Sequence, residues 1–121
     1  MKKLAIVCLL VVAGAIKSFG QTKIEAKDAG KHINETVTLC EKVVDGKFFD
    51  NSQTTLLNIG AAHPNELLTL VIKGDDRKKF SGDPEKIFMN QKVCITGKFI
   101  DYKGKPEIII TDAEQLKLDK N

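Results

Sequence analysis

The sequence has no tryptophan, one tyrosine (Tyr102) and one arginine (Arg77). Without indoles, and with six phenylalanines, any core must be mostly aliphatic. The single arginine, Arg77, sits beside Asp75 and Asp76, which argues against an arginine-clamped phosphoryl-transfer site, and no cluster of carboxylates stands at the ends of the expected strands to replace it. Three cysteines are too few for a disulfide-dense scaffold, and no Cys-x-x-Cys motif is present for thiol redox chemistry. The only histidines, His32 and His63, lack the short paired spacings of a zinc site. The expectation is therefore a protein without catalysis, metal or cofactor. There is also no low-complexity tract or linker after Gln21, so residues 21–121 read as one domain.

What is present begins with an address. Met1-Lys2-Lys3 is a short positive head, and Leu4 to Ile16 is an unbroken run of apolar and small residues. Ser18 and Gly20 then place small side chains three and one positions before Gln21, the layout of a bacterial secretory signal over residues 1–20. The apolar run is shorter than the roughly 20 residues of a spanning helix, so cleavage rather than a stable membrane anchor is expected. Cys8 sits mid-run, which argues against lipidation. The expected location is the periplasm or the medium. Removing residues 1–20 takes Lys2, Lys3 and Lys17 from the 19 basic side chains and nothing from the 16 acidic ones, turning a formal charge of +3 into zero.

After a short lead-in helix around Ile24 to Ile33, the chain reads as strands. Thr36 to Val44 is rich in β-branched residues and ends at a turn signal, Asp45-Gly46-Lys47. Thr54 to Ile59 and Leu67 to Lys73 follow, the latter alternating faces. Asp75 to Phe80 can open a helical turn, and Asp83-Pro84-Glu85 reads as a cap followed by proline at the first helical position. Lys92 to Ile100 and Glu107 to Thr111 are further strands around a hairpin loop, Tyr102-Lys103-Gly104-Lys105, and Ala113 to Leu118 is a tail. Phe80, Phe88 and Phe99 read as core. The fold class is all-β with short helices. Three strands, a helical connection and two strands match a five-stranded Greek-key barrel of the OB type, with long first and fourth strands bending near Glu41 and Gly97.

The run His32-Ile33-Asn34-Glu35-Thr36-Val37-Thr38-Leu39-Cys40-Glu41-Lys42-Val43 resembles the start of small exported bacterial OB-fold domains. Val93-Cys94-Ile95-Thr96-Gly97-Lys98 and Gly104-Lys105-Pro106-Glu107-Ile108 look like the fourth strand and last hairpin of the same group. The resemblance covers most of residues 26–118. Glu41 departs from it, standing where glycine is common. Such domains are described as nucleic-acid-binding-like, and some are attached to secreted nucleases. The resemblance is specific for fold and says little about activity.

Two functional expectations follow. First and fourth strands are neighbours in this barrel, so Cys40 and Cys94 are candidates for a cross-strand disulfide; the alternative is two separate half-buried thiols. Ligands of OB-folds usually lie on the outer face of strands two and three, framed by the first and last hairpins. That surface would offer Lys47, Phe48 and Phe49, then Asn58, Thr69 and Lys73, then Lys98, Tyr102, Lys103 and Lys105. Rings interleaved with lysines suit single-stranded DNA or RNA or another extended polymer. The alternative function is a protein-interaction or small-ligand module using the same face; the plain structural reading of the single residues is that Phe48 or Phe49 plugs the barrel end and Lys103 and Lys105 solubilise a hairpin.

Overall fold

A computed structural model describes residues 22–120. The expected export segment, residues 1–20, lies outside the described residues. The elements in chain order are β1 (Thr22–Ile24), a 3-10 helix (Ala26–His32), β2 (Thr36–Phe49), β3 (Thr54–Ile59), β4 (Leu68–Ile72), α1 (Gly74–Arg77), α2 (Pro84–Ile87), β5 (Lys92–Lys98), β6 (Ile100–Tyr102), β7 (Lys105–Ile109), a second 3-10 helix (Ala113–Gln115) and β8 (Leu116–Leu118). The chain is thus mostly β with short helices. Among the described residues no helix is long and apolar enough to cross a membrane.

The organising element is β2, whose 14 residues serve two ladders. From Thr36 to Lys42 it pairs antiparallel with β5, and from Asp45 to Phe49 it pairs antiparallel with β3. The register shifts between Val43 and Asp45, where the strand passes from one ladder to the other. Such a shift bends a strand and increases its twist. The sheet order is β6-β7-β4-β3-β2-β5-β8, with β1 parallel on β2 and β7 parallel to β4. The core lies inside this curl. Val37, Leu39, Val43, Leu57, Ile59, Leu70, Ile95, Phe99, Ile108 and Ile110 are at most 1% exposed, and Phe88 closes one end.

The five-stranded closed barrel needs correction: there are eight strands among the described residues, and the sheet is open. The expected fourth strand is interrupted at Phe99, whose ring stays on the core face with Val93 and Ile95. The Phe99 N–H donates to the Glu35 carbonyl (3.0 Å) and the Phe99 carbonyl accepts from Asn34 N–H (2.7 Å), which separates β5 from β6. Two three-residue strands, β1 and β8, add to the borders. No ladder joins β5 to β7 among the described residues. The Gln115 side chain fills that seam: its Nε2 donates to the Thr96 carbonyl (3.2 Å), and its Oε1 accepts from the backbone N–H of Thr111 (2.8 Å) and Asp112 (3.0 Å). Gly97 allows the approach, since a Cβ there would lie 2.5 Å from Ile108 Cδ1.

Local expectations shift for equally physical reasons. Asp45-Gly46-Lys47 is not a turn but mid-strand. Gly46 is required by packing, because a Cβ would lie 2.8 Å from Leu57 Cδ2 and 3.1 Å from the Leu56 carbonyl oxygen. The reversal comes later, at Asp50 to Gln53, where Gln53 takes φ 55° and its amide donates to the Asp50 carbonyl (2.8 Å). The bend expected at Glu41 or Gly97 is replaced by the Val43/Asp45 shift. β4 does not alternate between core and solvent; it is buried on both faces. The last hairpin narrows to Lys103-Gly104, with φ 52° and 89°, the left-handed pair that a two-residue hairpin turn demands. The fifth expected strand runs from Lys105 to Ile109 rather than from Glu107 to Thr111. Pro84 does open α2 at its first turn, where its missing N–H leaves no orphan donor.

Candidate ligand groove

Side chains of β2, β3, β4, β7 and β6 that point away from the core meet in a groove of about 720 Å³. The pleat decides who faces it. Core residues Leu57 and Ile59 of β3 alternate with Leu56 and Asn58, and the register carries that alternation across the sheet. One row runs Asp45, Asn58, Thr69 and Glu107, residues directly opposite one another on four successive strands. The adjoining row is Lys47, Leu56, Val71 and Ile109.

The first row forms a hydrogen-bonded floor. Thr69 Oγ1 donates to Asn58 Oδ1 (3.1 Å), and Asn58 Nδ2 donates to Asp45 Oδ1 (2.6 Å). Asp45 Oδ2 also accepts from the His63 backbone N–H (3.3 Å). Glu107 ends the row half-buried, and burial pushes its carboxyl above the usual carboxylate range. Beside the floor, Glu66 is only 4% exposed at its side chain. Burial alone would raise its carboxyl, but donors from Lys105 Nζ (3.0 Å), His63 Nδ1 (3.0 Å) and the backbone outweigh burial and hold it below the usual range.

Two rings stand at opposite sides of the groove. Phe49 on β2 is 39% exposed and has Lys47 Nζ 5.0 Å from its centroid. Tyr102 on β6 is 52% exposed and has Lys103 Nζ 5.3 Å away. Four inter-strand spacings, roughly 19 Å along the sheet, separate β2 from β6.

Of the residues read from sequence, Lys47, Phe49, Asn58, Thr69, Tyr102, Lys103 and Lys105 all line this groove. Lys105 is not a free cation, since it is tied to Glu66 and to the Pro64 carbonyl. Phe48, Lys73 and Lys98 lie elsewhere. Phe48 points to the opposite face, under the Arg77 guanidinium at 4.0 Å. Arg77 in turn donates to Thr55 Oγ1 (2.8 Å) and Glu85 (2.9 and 3.0 Å), which fastens α1 and α2 onto β3. Lys73 precedes the first turn of α1, and Lys98 sits exposed at the end of β5 opposite Thr36. The sequence reading missed Asp45, Leu56, His63, Glu66 and Glu107. The signal for Asp45 and Glu107 was available in the β register, once Asp45 is placed in a strand.

The cysteines do pair. Cys40 and Cys94 are directly opposite in the β2–β5 ladder, and their sulfurs are bonded at 2.01 Å. Asp119 lies close enough that one of its oxygens and both sulfurs fall within 4.8 Å of one another. With both sulfurs in the bridge, neither is a thiolate able to hold a metal. His32 and His63 bond to Glu35 (2.9 Å) and Glu66 in different parts of the fold.

No protein-family model matches the sequence, and no curated protein matches it. Solved structures match the fold. One is assigned as an aspartyl-tRNA synthetase from Leishmania major Friedlin, with TM-score 0.53 and 8% identity over 83% of this chain and 21% of that one. Another is yeast Stn1 and Ten1, with TM-score 0.53 and 13% identity over 85% of this chain and 65% of that one. The chain thus spans about a fifth of the first and just under two thirds of the second. At these identities the likeness is one of fold.

Proposed function

We propose that this chain is an exported, non-catalytic OB-type binding module that holds single-stranded nucleic acid in the groove. The observation that carries the reading is the pair of exposed rings, Phe49 and Tyr102, set across a polar floor, each with an ammonium over one face and the other face left for a base. Rings give bases a stacking platform, lysines meet phosphate, and an extended floor suits a strand better than a compact molecule. The Cys40–Cys94 bridge is compatible with an oxidising compartment outside the cytosol.

Fluorescence anisotropy of the purified chain with short DNA and RNA strands at two salt concentrations tests this. Expected is micromolar binding that weakens with salt only gently, with a log–log slope of about −1.4 for two free lysines. Tyr102→Ala should weaken it by about 5- to 100-fold, the worth of one stacked base. Absence of binding to any strand overturns the reading.

A second reading keeps the groove but gives it a protein or small-molecule ligand. It draws on the Lys105–Glu66 pair, which removes one cation, and on the other carboxylates at the floor, Asp45 and Glu107. Binding that ignores salt, with no response to oligonucleotides, would mark it.

A further inference from the structure

We propose that the groove discriminates among bases, preferring those with an exocyclic amino group, cytosine over uracil in particular, and that the Glu107 carboxylate is the acceptor that reads it. This rests on the nucleic-acid reading of the groove. Three of the four floor groups already satisfy one another: Thr69 donates to Asn58, and Asn58 donates to Asp45. Glu107, next in the row beside Thr69, has no hydrogen-bond or ion-pair partner among the described residues, yet it is half-buried in the groove wall. A carboxylate is an acceptor only, so what it lacks is a donor.

The ligand can bring that donor. Ile100 lies opposite Glu107, and Tyr102 lies opposite Lys105, so Tyr102 and Glu107 share one face of the β6–β7 hairpin as diagonal neighbours. Diagonal positions are within reach of aromatic and long side chains. A base stacked on the Tyr102 ring therefore presents its edge toward Glu107. Cytosine offers N4–H₂ there and satisfies the carboxylate. Uracil offers a carbonyl oxygen instead, setting two acceptors against each other. The carboxyl raised by burial fits a group awaiting such a donor.

The test is anisotropy of the purified chain with oligo(rC) and oligo(rU) of equal length, repeated with Glu107→Gln. The wild type should prefer oligo(rC) by about 5- to 100-fold, the usual discrimination of a good side-chain contact to a base edge. Glutamine has both a donor and an acceptor, so Glu107→Gln should bind both strands and bring the ratio within about twofold. Equal wild-type affinity for the two strands overturns the inference while leaving the proposed function standing. A preference that survives Glu107→Gln overturns the assignment to Glu107. Failure to bind either strand overturns the proposed function and this inference with it. The wild-type comparison needs no variant, so a poorly folding Glu107→Gln leaves the preference itself testable.

Discussion

Single side chains in the groove have roles that their identities alone do not suggest. Lys105 looks like a phosphate contact, but its ammonium partners Glu66, whose side chain is 4% exposed, and the Pro64 carbonyl. Removing it leaves a buried carboxylate with one cationic neighbour fewer, a change that costs more than losing a surface pair. Lys105→Met should therefore lower stability by about 1–3 kcal/mol in urea denaturation. Glu66→Gln on that background should recover part of the loss, and strict additivity would refute the coupling. The pair also sets a pH dependence. The Glu66 carboxyl is lower in the fold than in the unfolded chain, so its contribution is full above the ordinary carboxylate value of about 4.3 and is lost as pH falls through the lowered folded value. Glu85 acts in the same direction: the backbone, Arg77 and Thr55 bonds outweigh its burial. Melting temperature should fall on acidification in that window, less steeply in the Glu66→Gln protein.

Elements meet in places where the sequence shows only part of the reason. Gly97 sits in β5 with room for nothing larger, wedged against Ile108 of β7 and the Gln115 amide. Gly97→Ala should force the seam apart and cost about 1–3 kcal/mol, readable as a lower denaturation midpoint; an unchanged midpoint would show that the seam yields freely. Composition and alternation made much of this layout legible. The β-branched run at Thr36, the six-residue strand Thr54–Ile59 and the proline opening α2 each carry their own signal. Other features are set only by tertiary contact. Asp45-Gly46 has turn chemistry, yet Leu57 and the Leu56 carbonyl need the bare Cα there, so packing overrides propensity. β1 and β8, at three residues each, are too short to show a period. The rings and lysines of the groove stood out by type. Glu66 and Glu107 did not, because they are two carboxylates among 16 acidic residues until the register sets Glu107 in the floor row and the loop before β4 brings Glu66 beside it.

For the molecule as a whole, charge and crosslinking point to different parts of the fold. The 3-residue excess of basic over acidic side chains comes from Lys2, Lys3 and Lys17, so nothing in the net charge of residues 21–121 draws a polyanion in; attraction must be local to Lys47 and Lys103. The Cys40–Cys94 bridge closes a separation of 54 residues, worth about 4 kcal/mol in the chain-entropy picture. Cys40→Ser with Cys94→Ser should lower stability by up to about that amount. Thiol titration of the denatured, unreduced full chain should find one free thiol, from Cys8; three would refute the bridge.

The division of β2 between two ladders has a consequence for its backbone protons. From Thr36 to Lys42 the strand pairs with β5, is flanked by β1 at Val37 to Leu39 and is stapled at Cys40, whereas from Asp45 to Phe49 it has, among the described residues, β3 alone as a ladder partner. Local opening is easier where fewer neighbours hold a segment. Amide hydrogen–deuterium exchange along this one strand should therefore run at two rates, slow before Val43 and faster after it. The faster half is also the half that lines the groove. A bound ligand should slow exchange from Asp45 to Phe49 and leave the earlier half unchanged, so the strand carries both the reporter of occupancy and its internal reference.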